Sequence, residues 1–239
     1  MHTNVLAINP GGTSTKIGYF SDNKLVFKKT IEHSGEHLAK FSHVNEQLGM
    51  RTKEILRELE IRQIDIINIS GVVGRGGVLP PLQAGGYGVN SVMVDFLLHH
   101  VKLEHAANLG AIIADNIARL CSPTTKAFIY DGETLDQLCD LARFSGVAAI
   151  QRESLGHILN SRAVARNIAA QLNRPYEALN FVVVHMGGGT TSSSHEKGRV
   201  IDVIADDEGP FSVERSGSLA LKHVIRLCYE KSQAEIQQT

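Results

Sequence analysis

Hydrophobic and polar positions change period several times along this chain, and the changes outline a β segment that occurs twice with helices between. Apolar runs interrupted at residues 9–14 and 21–24 predict three strands over about residues 4–31. Over residues 38–59, Phe41, Val44, Leu48, Ile55, Leu56 and Leu59 follow helical spacing. A strand is predicted over 64–69, followed by a loop over 70–77, while Pro80, Pro81, Gly85 and Gly86 predict an irregular stretch. Helices are predicted over 93–101 and 111–120, a strand over 127–131, and helices over 136–143 and 161–172. From Phe181 a second β-β-β pattern runs, followed by one helical stretch over 219–229 and a polar tail. This order predicts a mixed α/β lobe over 1–150 and the start of a second over 151–239. The second lacks the helices and strands that complete the first, so it reads as a truncated lobe.

Each β segment contains a glycine–hydroxyl turn. Val5-Leu6-Ala7-Ile8 leads into Asn9-Pro10-Gly11-Gly12-Thr13-Ser14-Thr15-Lys16, and Phe181-Val182-Val183-Val184 leads into His185-Met186-Gly187-Gly188-Gly189-Thr190-Thr191-Ser192. Successive glycines let backbone N–H groups converge on an anion, and hydroxyls add donors without charge. A single strand–glycine–strand pattern is ordinarily a hairpin. Its repetition, with hydroxyl residues following the glycines both times, points to two phosphate cradles, one per lobe, facing a shared site. Neither turn is a P-loop, because a strand rather than a helix follows the first, and neither carries the dinucleotide G-x-G-x-x-G pattern.

Composition narrows the class. The chain has 239 residues, 43% of them hydrophobic, with a net charge of −1 and no basic stripe, which argues against nucleic-acid and membrane partners. No apolar run approaches the ~20 residues of a membrane span, and Met1-His2-Thr3-Asn4 leads straight into the first strand without a signal-peptide pattern. Three cysteines, Cys121, Cys139 and Cys228, read as buried thiols in a reducing cytoplasm.

Candidate chemistry lies at strand ends and in loops. Arg75, between glycines, is placed to approach an oxyanion; a solvated loop arginine is the alternative. Arg215 follows the acidic glycine–proline loop Asp206-Asp207-Glu208-Gly209-Pro210. Asp131 ends an apolar strand, where a carboxylate holds Mg²⁺, orients a nucleophile or caps a helix. His185, at the mouth of the second turn, reads as a phosphate or substrate donor. His105 and Asn108 read as braces for a neighbouring turn, and the other histidines as surface.

Taken together, these motifs resemble the acetokinase family of the acetate- and sugar-kinase, heat-shock ATPase and actin superfamily. The resemblance is carried by residues 9–16, Val72-Val73-Gly74-Arg75-Gly76-Gly77, His105-Ala106-Ala107-Asn108-Leu109-Gly110, His185-Met186-Gly187-Gly188-Gly189, Asp207-Glu208-Gly209-Pro210-Phe211-Ser212 and Glu214-Arg215-Ser216-Gly217. The run from Gly198 through Gly217 and the Val73–Gly77 loop are specific for the butyrate branch. The resemblance implies two ribonuclease-H-like lobes of the actin-like ATPase type, the second incomplete. It also implies reversible transfer of the ATP γ-phosphoryl group, with Mg²⁺, to a short-chain carboxylate, giving an acyl phosphate. Carried over, Arg75, Asp131 and Arg215 would be catalytic. Asn9, Gly11, Gly12, Thr13, Ser14, Lys16, His185, Gly187, Gly188 and Gly189 would hold nucleotide or transferred phosphate, with the metal ligands unassigned. A homo-oligomeric parent is implied. The alternatives are an acetate or propionate kinase, or an inactive fragment that binds phosphate, acyl phosphate or a partner.

Overall fold

A computed structural model of the chain describes residues 3–101, 103–187, 189–205, 208–209 and 218–230. Its packing separates two units, Met1–Gly132 and Glu133–Thr239.

In the first unit, strands β1 (Asn4–Pro10), β2 (Ser14–Ser21) and β3 (Lys24–Glu32) form an antiparallel meander. Helix α1 (Gly35–Leu38), helix α2 (Leu48–Ile61) and strand β4 (Gly71–Gly74) follow. The unit continues with β5 (Gly86–Gly88), α3 (Ser91–His99), α4 (Asn108–Leu120) and β6 (Lys126–Tyr130). The sheet order is β3-β2-β1-β4-β6-β5, with β1, β4 and β6 mutually parallel and β5 antiparallel to β6. Leu6 and Ile8 of β1 and Ile17 of β2 are buried against Ile55 and Leu59 of α2 and Leu109, Ile113 and Ile117 of α4. These apolar stripes recur at two-residue spacing on the strands and at three- and four-residue spacing on the helices, the periods that bury one face of each.

The strand expected over 64–69 is instead a single 3-10 turn, Ile66–Asn68, capped by the Asp65 carboxylate, which accepts from Ile67 N at 3.1 Å. The strand itself is Gly71–Gly74, inside the expected loop. The physical reason is close packing: a Cβ on Gly74 would stand 2.1 Å from Gly110 O, and one on Gly110 would stand 2.2 Å from Arg75 O. The central strand meets the first turn of α4 backbone to backbone, so it needs glycines that a pattern search reads as loop. The helix expected over 38–59 is broken as well, into α1, a 3-10 turn at Val44–Gln47, and α2.

In the second unit, helix α5 (Ile158–Gln171) precedes strands β7 (Asn180–Met186), β8 (Thr190–Glu196) and β9 (Arg199–Ile204), and helix α6 (Leu221–Glu230) follows. The strands form an antiparallel sheet ordered β7-β8-β9. Ala165 and Ala169 of α5 pack with Tyr176, Phe181 and Val183. The expected helix over 136–143 reduces to a 3-10 turn at Asp140–Arg143. There the Asp136 carboxylate accepts from Leu138 N and pairs with Arg143, and Cys139 N donates to Ile201 O, so these groups bond outside a helical ladder. Cys139 and Cys228 are exposed and Cys121 half-buried, against the expectation of buried thiols. No helix among the described residues is long and apolar enough to cross a membrane.

Candidate functional site

The register of the first sheet gathers three of the residues singled out from the sequence. Ile8 of β1 pairs with Gly74 of β4, which pairs with Ile129 of β6. Asn9, Arg75 and Asp131 therefore lie at the carboxyl ends of three adjacent parallel strands, the edge at which open α/β sheets take ligands. Arg75 N donates to Ile8 O at 2.9 Å, and Arg75 Nη1 stands 3.4 Å from Asn9 Oδ1, a long contact. Asp131 is 2% exposed and left-handed (φ 42°), a conformation costing about 1 kcal/mol for a residue with a Cβ. Its Oδ1 accepts from Gly85 N at 3.0 Å, and its own N–H donates to Gly85 O at 3.0 Å. The aspartate thus joins β6 to Gly85, directly before β5. Lys16 stands across from Asn9 in the β1–β2 ladder and is exposed.

The first glycine turn closes with Gly11 N donating to Ser14 O at 2.7 Å, and the flank of Gly12 is open, with no heavy atom within 4 Å of where a Cβ would be. Beneath it lies Arg51, fully buried on α2. Its guanidinium donates to Gly12 O (3.2 Å), Ser14 O (3.2 Å), Thr15 Oγ1 (2.9 Å) and Gln47 Oε1 (2.8 and 3.1 Å). The carbonyl groups of Gly12 and Ser14 are thereby tied to the core, and the Gly11 amide to Ser14 O. Sequence reading missed Arg51. A signal existed, because it lies four residues before Ile55 and eight before Leu59 on the buried stripe of α2. His33, expected at the surface, is buried. Its Nε2 meets Thr15 Oγ1 at 2.8 Å, and its Nδ1 lies 2.9 Å from Glu54 Oε2, at ion-pair distance but off the direction of a hydrogen bond. Burial, and then the nearby Arg51 charge and His37, lower its pKa to about 4.

The second turn is built differently. His185 pairs with Thr191 across β7 and β8. Its ring stacks on His157, with centroids 3.9 Å apart and planes within 10°. His157 Nδ1 meets Thr191 Oγ1 at 2.8 Å, and Asn160 Nδ2 meets His185 Nδ1 at 2.9 Å. Gly187 N donates to Gly189 O at 3.1 Å; Gly188 lies outside the described residues. His157 and Asn160 went unnoticed in the sequence, although Gly156-His157 directly before a helix is the kind of junction that aims a side chain at a ligand. His195, also expected at the surface, is buried between Tyr176 OH (2.6 Å) and Ser193 Oγ (2.9 Å), and burial and then Arg162 lower its pKa to about 4.

Arg215 lies outside the described residues, as do Asp206, Asp207 and 210–217. Glu208 of the same segment is held by Arg152, which reaches Glu208 Oε2 (3.3 Å), Asp202 Oδ1 (3.1 Å) and Ala142 O (2.8 Å) and also donates to Val203 O. Asn108 is a brace as expected, accepting from Val78 N at 2.8 Å and donating to Leu103 O at 2.9 Å, while His105 Nδ1 accepts from Ala107 N.

Comparison with known proteins shows what the chain is similar to. The chain is 45% identical over 227 residues to butyrate kinase 1 of Clostridium acetobutylicum, covering 94% of this chain and 63% of that protein. It is 43% identical over 237 residues to butyrate kinase 2 of the same organism, covering 98% and 66%. This chain is a homologue of the butyrate kinases. A probable butyrate kinase of Listeria monocytogenes matches at 41% identity over 96% of the chain and 64% of its own length. The chain thus spans slightly less than two thirds of the length of these relatives. No family model matches it. Among solved structures, the acetate kinase of Porphyromonas gingivalis superposes with a TM-score of 0.65 at 15% identity, over 99% of this chain and 67% of that one. A propionate kinase of Francisella tularensis gives 0.63 at 14% identity, over 98% and 67%. At such identities the likeness establishes the fold, that of the acetate and propionate kinases.

Proposed function

We propose that the protein carrying this chain transfers the γ-phosphoryl group of ATP reversibly to butyrate or a related short- or branched-chain acid, yielding an acyl phosphate and ADP. The observation that carries the reading is the 41–45% identity to butyrate kinases over nearly the whole chain. The convergence of Asn9, Arg75 and Asp131 on one strand edge supports it. A carboxylate needs no deprotonation at neutral pH, so the work is positioning and charge neutralisation. Arg75 would anchor the acid, with Val73, Pro81 and Leu82 as candidate apolar lining for a four-carbon chain; Val72, of the same sequence motif, is fully buried in the core of the first unit and does not line it. Asn9 would contact the transferred phosphoryl group, and Arg215 would offset its charge. Asp131 would orient the acid or hold Mg²⁺; its tie to Gly85 N engages one carboxylate oxygen. The turn residues Gly11, Gly12, Thr13, Ser14 and Lys16 of one unit and His185, Gly187, Gly188 and Gly189 of the other would cradle phosphate. The open flank of Gly12 fits that use. Mg²⁺ bound with ATP supplies further neutralisation on the phosphoryl oxygens. We place the protein in the cytoplasm as a homo-oligomer.

The test is a coupled assay on the protein at the full length of its relatives, with acids of two to five carbons. A higher kcat/KM for butyrate than for acetate is expected. Preference for acetate would make it an acetate kinase, and no turnover on any acid would leave a phosphate-binding protein without catalysis.

A further inference from the structure

We infer that Asn160 is a positioning residue that holds His185 in its Nε2–H tautomer and so presents a neutral hydrogen-bond donor at the second glycine turn. The inference deepens the proposed function, resting on that turn as a phosphate site. An amide –NH₂ only donates, so with Asn160 Nδ2 at 2.9 Å the Nδ1 of His185 is an acceptor and a neutral ring carries its proton on Nε2. That Nε2 lies over the turn: a Cβ on Gly187 would stand 3.0 Å from it, so a side chain there would crowd the donor. The ring plane is fixed from the other side by His157, stacked at 3.9 Å and itself tied to Thr191 Oγ1 at 2.8 Å.

Asn160 therefore suits a residue that donates to phosphoryl oxygens without giving up its proton, and it argues against general-acid use of His185. An aspartate at 160 would reverse the arrangement, accepting from Nδ1–H and exposing a lone pair to the turn.

The experiment is long-range ¹H–¹⁵N NMR of the histidine-labelled 239-residue chain at pH 8. For the unaltered chain, His185 Nδ1 is expected to resonate as an unprotonated ring nitrogen and Nε2 as a protonated one. In Asn160→Asp the two should exchange character, and in Asn160→Ala both should move toward intermediate values. Unchanged amide shifts at Val183 and Ser193 in both variants serve as the check on fold. An Nδ1–H tautomer in the unaltered chain, or the same tautomer in all three, overturns the inference. A second arm separates it from the function: in the full-length protein Asn160→Asp should lower kcat about a hundredfold with little change in KM, the scale of a lost transition-state donor. An exchanged tautomer with unchanged kcat would leave the positioning intact and refute the phosphate role of the second turn.

Discussion

Arg51 illustrates how much of the first glycine turn is decided by one buried side chain. Its hydrogen bonds go to neutral acceptors, among them the Gly12 and Ser14 carbonyls, and burial lowers its pKa while the Glu54 charge raises it. Replacing it with methionine keeps the apolar stem but strands those carbonyls, so Arg51→Met should cost roughly 2–4 kcal/mol in urea unfolding. Arg51→Lys, which keeps the charge without the fork, should fall between. A methionine variant as stable as the parent would remove Arg51 from this role. His33 and His195 extend the argument to pH. Both have folded pKa values lowered to about 4 from 6.5, so the unfolded chain binds more protons between those values. Their contribution to stability is complete above pH 6.5 and is lost as pH falls toward 4, by up to about 3 kcal/mol each. Urea midpoints should decline across that window, and His33→Gln with His195→Gln should flatten the decline. Asn9, Arg75, Asp131 and His185 could be picked out from sequence because they interrupt apolar runs beside glycines. Arg51, His157 and Asn160 were missed: the helical spacing of Arg51 with Ile55 and Leu59 and the Gly156-His157 junction mark their positions, but their roles depend on which turn their helix is packed against.

At the scale of elements, both β meanders were legible because alternation and glycine turns are local signals. The central strand β4 was not, because its residues answer to a neighbour remote in sequence. A glycine inside a helix ordinarily gives way to alanine with a gain of up to about 1 kcal/mol. Gly110→Ala should do the reverse, because its Cβ would meet Arg75 O at 2.2 Å. Thermal unfolding should show a loss of several kcal/mol, with Gly74→Ala alike, since overpacked backbone cannot relax cheaply. A neutral or raised Tm for Gly110→Ala would mean that β4 and α4 are not in backbone contact. The same contact sets the position of Arg75.

For the molecule as a whole, the two units are unequal. In the first, β1 has a strand on each side, whereas in the second β7 pairs with β8 alone among the described residues. The outward residues of β7, Val182, Val184 and Met186, are 73%, 52% and 82% exposed. An apolar edge strand with one partner is poorly protected. Hydrogen exchange on the 239-residue chain should therefore show strong protection in β1 and β4 and weak protection in β7. Equal protection in both units would contradict this. The family was legible in the sequence because its motifs run through the whole chain, but the Arg215 segment lies outside the described residues. Its role rests on the resemblance: in the full-length protein Arg215→Ala should lower kcat by about two orders of magnitude or more. The central claim, phosphoryl transfer from ATP to a carboxylate, is tested most directly by ³¹P NMR of the full-length protein with MgATP and butyrate. The account predicts a butyryl phosphate resonance growing one for one with ADP and reverting to ATP when butyryl phosphate and ADP are supplied. ATP hydrolysis to inorganic phosphate with no acyl phosphate, or no ATP consumption at all, would contradict it.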